Sequence, residues 1–184
     1  TLREKAQQQL PKDIDILTED LEDISDVAFA HLHNHSQFSV LQSTISIPKL
    51  IENTIKQKMP AVALTDIGNM MGAFQFVSGI LNHNKSAEAK NKELVEAGEQ
   101  PTETVIKPIV GCEFFVCNNH KDKSNKDNGY QVVFLAKNKK GYHNLAKLSS
   151  KAYTDGFYYV PRIDKELIKL YKEELIVLTG SLYG

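Results

Sequence analysis

The 184-residue chain has no surplus of either charge: Lys and Arg number 22, Asp and Glu 23. That balance excludes a general electrostatic pull toward nucleic acid or a membrane surface. No apolar run approaches the ~18–20 residues of a membrane span, and the opening TLREKAQQQLPKD is too polar for a signal peptide. Cysteine is scarce. Cys112 and Cys117 stand five apart on one predicted strand, so they face opposite sides, which argues against a disulfide framework and against a zinc site built from this pair. A soluble, cytoplasmic protein without membrane contact is the expectation. Also missing are a Gly-rich phosphate loop, a Ser nucleophile elbow and a Walker-type lysine. The chain begins at Thr1 without an initiator Met and stops just after a strand-like run, so a segment of a longer protein is expected.

What is present changes character at Val27. Residues 1–26 are polar and turn acidic in DIDILTEDLEDISD, the composition of a linker or tether. VAFAH (27–31) then reads as a short buried strand. Ser46 is placed to cap a helix that tolerates Pro48 in its first turn and carries Ile47, Leu50, Ile51 and Ile55 on one face. AVALT (61–65) is the next strand, and DIGNMMGAFQFVSGIL is a turn running into a helix. The Ala/Lys/Glu-rich stretch 82–107, broken by Gly98 and Pro101, reads as an exposed helical excursion. IVGCEFFV (109–116) and YQVVFLA (130–136) are strands flanking a solvated loop, NNHKDKSNKDNG. A helix from about Tyr142 to Tyr153, the irregular DGFYYVPR, a helix capped by Asp164 with Leu167, Ile168 and Tyr171, and the strand LIVLT complete the chain. Alternating helices and continuous apolar strands predict an α/β fold with a largely parallel sheet, its functional groups at the carboxyl ends of the strands.

Those ends carry the candidate chemistry. In AHLHNHSQFSV, His31, His33 and His35 alternate, and in an extended segment His33 and His35 point the same way and can ligate one ion; histidines merely packed at a strand end are the other reading. Asp66 directly follows a strand and serves either as a ligand or general base, or as a cap of the next turn. Glu113 lies inside an apolar strand, where a carboxylate must be paired or exposed. His83 and His120 fall in polar loops and His143 at a helix start, all weaker candidates. The aromatics of DGFYYVPRI beside Arg162 are placed either to stack a base or partner, or to fix the loop by packing.

The ordered series FAHLHNHSQFSVLQS, AVALTDIGNMMGAFQF, KPIVGCEFFV, GYHNLAKLSSKAYTDGFYYVPRID and LIVLTG resembles the N-terminal polymerase-and-histidinol-phosphatase (PHP) domain of bacterial DNA polymerase III alpha subunits. The likeness runs over 27–184, apart from an insertion near 82–107 similar to the Bacteroidetes branch, in some members of which a proofreading exonuclease domain precedes the PHP domain. It implies a distorted, TIM-like (β/α)7 barrel, of which this chain holds the N-terminal two-thirds. It also implies a parent that extends DNA primers with Mg²⁺ and deoxynucleoside triphosphates, using palm carboxylates outside this segment. Position by position, His33, His35, Asp66 and Glu113 match family metal ligands, whereas Gln42, Ile67, Gln131 and Ser181 stand where other ligands are expected. Neutral amides and Ile are poor substitutes at a transition-metal site. The resemblance therefore implies a degenerate site that binds Zn²⁺ or Mn²⁺ weakly if at all and holds no catalytic residue. Its expected partners are the rest of the polymerase chain, DNA through that parent, and a proofreading exonuclease in cis or in trans. The alternative is a live metal-dependent phosphoesterase with 3′–5′ proofreading activity.

Overall fold

The computed structural model describes residues 27–179; the acidic segment 1–26 and Ser181 lie outside them. Helix α1 (Ile47–Lys56) begins after Ser46, which occupies the cap position without a side-chain cap bond, and Pro48 sits in its first turn. Its apolar stripe is set by spacing: Ile47, Leu50 and Ile51 are buried with Thr54. Strand β1 (Ala61–Leu64) follows, then helix α2 (Ala73–Glu96), strand β2 (Lys107–Cys117) and strand β3 (Tyr130–Ala136). Helix α3 (Lys139–Thr154) is capped by the Asn138 side chain, which accepts from the Lys140 and Gly141 amides. Strand β4 (Arg162–Asp164), helix α4 (Lys165–Tyr171) and strand β5 (Leu175–Leu178) close the described chain. Asp164 caps α4 as expected, accepting from the Leu167 amide at 3.0 Å.

Strand β2 organises the sheet. On one edge it pairs in parallel with β1 (Ala61↔Lys107 to Leu64↔Val110) and, farther along, with β4 (Phe115↔Arg162 to Cys117↔Asp164). On the other edge it runs antiparallel to β3, which runs antiparallel to β5. The sheet is thus mixed and not largely parallel. The reason is local: the β2–β3 connection is a loop without a helix, so the chain returns directly and must pair antiparallel. The pleat of β2 sends Cys112 and Phe114 into one core with Phe134, Leu145, Leu148 and Ile163, and sends Glu113 to the opposite face. A second core joins α1, α2 and β1 through Ile47, Leu50, Val62, Leu64, Phe76 and Ile80.

Three further expectations are corrected. Residues 27–30 form no strand: Val27 and Phe29 are exposed, and the segment touches the sheet only through a single bridge, His31↔Val62. Ladder bonds on one side, with no neighbour on the other among the described residues, do not bury a strand. The excursion is helical and mostly exposed as expected, as the continuation of α2 to Glu96, and its return is tied to the core where the Asn84 amide donates to the Ile106 carbonyl (2.7 Å) and accepts from its amide (2.8 Å). His83, expected in a loop, lies on α2 because the helix runs on through NHNK, and its Nε2 lies 3.1 Å from the Thr104 carbonyl in the same return. Finally, the loop after β2 is not simply solvated, because it buries His120 against Asp164. Both cysteines are buried free thiols, and no helix among the described residues is long and apolar enough to cross a membrane.

Candidate metal centre

The segment carrying the histidines is laid onto the end of β1 by its own amide. Asn34 donates from its side chain to the Ala63 carbonyl (2.9 Å) and from its backbone to Thr65 Oγ1 (3.0 Å), while the Thr65 amide returns a bond to the Asn34 carbonyl. Residues 33 and 35 therefore face one side. Glu113 is delivered to the same point by β2: its backbone amide donates to the Asp66 carbonyl at 3.0 Å, and the Gly68 amide donates to its carbonyl at 2.7 Å. Gly68 makes this approach with φ +68°, in the left-handed region that favours glycine.

Three ligand atoms converge there. His33 Nε2 lies 3.2 Å from His35 Nε2 and 3.1 Å from Glu113 Oε2, and His35 Nε2 lies 2.5 Å from the same oxygen. Two atoms bound about 2.0 Å from a tetrahedral ion stand about 3.3 Å apart, so two of the three separations already suit an ion. The third is a hydrogen bond whose proton an ion would displace. Two imidazoles and a carboxylate are a donor set for Zn²⁺ or Mn²⁺. Glu113 is buried, His35 half-buried and His33 open to solvent, which leaves an entry path. Burial pushes the Glu113 carboxyl up, but hydrogen bonds from His35 and His33 outweigh it and hold the group below its ordinary range.

Asp66 is spent elsewhere. Its Oδ1 accepts from the Ser36 amide and the Ser39 hydroxyl, both at 2.6 Å, and its Oδ2 accepts from the Ser36 hydroxyl at 2.7 Å. Ser39 Oγ in turn accepts from the Ile67 amide. The carboxylate ties the histidine segment to the strand end through groups that sequence reasoning missed, Ser36 and Ser39. The signal for them was present, since serines directly after H-x-H are natural donors to a buried acid. His31 stays out of the cluster, its ring edge-on to Phe29; His83, His120 and His143 are also elsewhere. Gln42, Ile67 and Gln131 line one cavity of about 270 Å³, walled by Phe38, Phe115 and Tyr153.

A family profile described as PHP domain matches residues 31–184. The chain belongs to the PHP family. Its PHP domain is 40% identical to the DNA polymerase III subunit alpha of Chlamydia muridarum over 157 residues, covering 83% of this chain and 11% of that relative. The subunit of Treponema pallidum is 38% identical over 162 residues, 86% of this chain and 12% of the relative. That of Aquifex aeolicus is 36% identical over 165 residues, 85% and 12% respectively. The PHP domain described here thus spans about an eighth or less of the length of the curated relatives it matches.

Proposed function

We propose that this chain is the PHP module of a replicative DNA polymerase III alpha subunit, a non-catalytic part that supports the polymerase core and docks a proofreading exonuclease. The carrying observation is the ligand count at the site: among the described residues three donors converge, and the positions where the family resemblance expects further ligands are Gln42, Ile67 and Gln131 around an amide-and-apolar cavity. Hydrolysis of a phosphodiester by clustered ions needs ions that both activate water and stabilise the leaving oxygen. One ion at His33, His35 and Glu113 supplies Lewis-acid polarisation at a single point. Asp66 serves as the clamp of the loop, not as a ligand. The parent is a DNA-template-directed DNA polymerase that uses Mg²⁺ at carboxylates beyond this chain, the fold is the leading part of a (β/α)7 barrel, and 82–107 is an insertion of one family branch.

The converging triad favours a second reading, a live metal-dependent 3′–5′ phosphoesterase. Metal analysis of the full chain after dialysis, with hydrolysis of a 3′-terminal mismatch measured in Mn²⁺ and Zn²⁺, separates the two. The first reading expects one ion or fewer per chain and no hydrolysis. Hydrolysis that disappears in His33→Ala and His35→Ala establishes the second.

A further inference from the structure

The stretch between α3 and β4 has no part in the triad, yet it supplies two wall residues of the cavity beside it and, next to them in sequence, exposed aromatics that form a lip. Val160 and Pro161 line the cavity together with Tyr153 at the end of α3 and the amides of Gln42 and Gln131. The cavity also adjoins the triad, since Ile67 bridges to Glu113 and Phe115 follows Glu113 on the same face of β2. Phe157 stacks on Tyr153 with ring centroids 6.2 Å apart and planes 17° from parallel, and both rings are about half exposed at 47%. Tyr159, 63% exposed, is held at φ +63°, a conformation that costs a non-glycine residue energy and keeps its ring at the surface. Lys126 lies 4.8 Å above that ring.

The loop that brings Lys126 there is anchored and basic. Buried Arg162 donates to the Asp122 and Asp127 carbonyls at 2.8 Å each and to the His120 carbonyl at 3.2 Å. The loop's acids are engaged internally, Asp122 with Ser124, and Asp127 with Asn118 and Gly129. Lys121, Lys123 and Lys126 are left exposed. Exposed ring faces with adjacent cations form a stacking platform for unpaired bases. The cavity lies below the roughly 300–1,000 Å³ of drug-sized pockets, a size suited to one planar ring system. Its glutamine amides each present a donor beside an acceptor, the pattern that pairs with a base edge.

We propose that the cavity and its aromatic lip bind single-stranded DNA, one unpaired base entering between Tyr153 and the Gln42 and Gln131 amides while the strand crosses Tyr159 and Lys126. The choice of DNA rests on the polymerase reading above; the base-and-backbone chemistry rests on the site.

The test is ultraviolet crosslinking of the full chain to an oligodeoxythymidylate carrying 5-iodouracil, with the attached residues mapped by mass spectrometry. Crosslinks at Tyr153 or Tyr159 are expected, and a duplex of the same sequence should give none there. Tyr159→Ala and Lys126→Glu should each weaken capture roughly tenfold, and Gln131→Leu should weaken it with an unchanged melting temperature. Crosslinks only elsewhere, equal capture of the duplex, or stronger capture of the matching RNA at these tyrosines overturns the proposal. The two readings fail separately: mismatch hydrolysis with a Tyr159 crosslink removes the non-catalytic reading alone, and no crosslink in a chain without hydrolysis removes this one alone.

Discussion

Among the described residues stand two histidine–carboxylate clusters, and they differ in what is left over. At the triad, Glu113 faces two imidazoles whose ring nitrogens approach one another at 3.2 Å, with His33 open to solvent. At the second cluster His120 and Asp164 are both nearly sealed; Asp164 accepts from the His120 ring at 2.5 Å, the His120 amide at 3.2 Å and the Leu167 amide at 3.0 Å. Beneath it the Arg162 guanidinium is consumed by backbone carbonyls. The second arrangement is a knot: a short polar strand, β4, is stitched to the β2–β3 loop, and the one ring nitrogen it leaves without a partner, His120 Nε2, is sealed from solvent. The first keeps lone pairs and access in reserve. Residue type alone does not separate a binding site from a fastening; accessible, unsatisfied ligand atoms do.

Removing the centre of the knot should produce the largest effect. Arg162→Met keeps the stem but leaves the carbonyls of Gly156, His120, Asp122 and Asp127 without this donor, so a loss of about 3 kcal/mol or more is expected in denaturant unfolding. A loss below about 1 kcal/mol would mean that water replaces the guanidinium and that the cluster is not sealed. The second effect is smaller and depends on pH. Burial raises the Asp164 carboxyl, and hydrogen bonds from His120 and Leu167 overcome that, holding it below its ordinary value of 3.8. A carboxyl depressed in the folded state adds stability that is complete above its unfolded pKa and lost as pH falls through its folded one. Melting temperature should therefore fall on acidification below that ordinary value, and Asp164→Asn should flatten this limb while lowering the plateau. The smallest effect belongs to the triad. Zn²⁺ in excess should raise the melting temperature by mass action, by a degree or a few, and His33→Ala should abolish the rise without lowering the metal-free value. A fall in that metal-free value would show that the triad, too, is a fastening.

Much of the architecture was legible because it depends on neighbours in sequence. β3 matches its apolar run YQVVFLA from end to end, and the α4 cap at Asp164 follows from residue type and spacing. The failures share another cause. VAFAH has the composition of a buried strand, but burial requires a flanking strand that composition cannot reveal. His120 sits in a run of Lys, Asp and Asn, and only a partner 44 residues away draws it inside. At the site, alternation placed His33 and His35 together, and a carboxylate inside an apolar strand had to be paired or exposed; Glu113 is buried and paired with both histidines. The role of Asp66 was undetermined until Ser36 and Ser39, 30 and 27 residues distant, were found bonded to it.

The triad also closes a long loop. Its histidines lie 80 and 78 residues before Glu113, so an ion held by all three would join the start of the described chain to the middle of the central strand. Such a bond acts on the unfolded ensemble as well as the folded one, because tying distant points together removes chain entropy that the open chain would otherwise keep. The ion would be a reversible staple, present in proportion to free metal and absent in a chelator. Metal supply could thereby govern the lifetime of the fold without any bond being made or broken in a substrate.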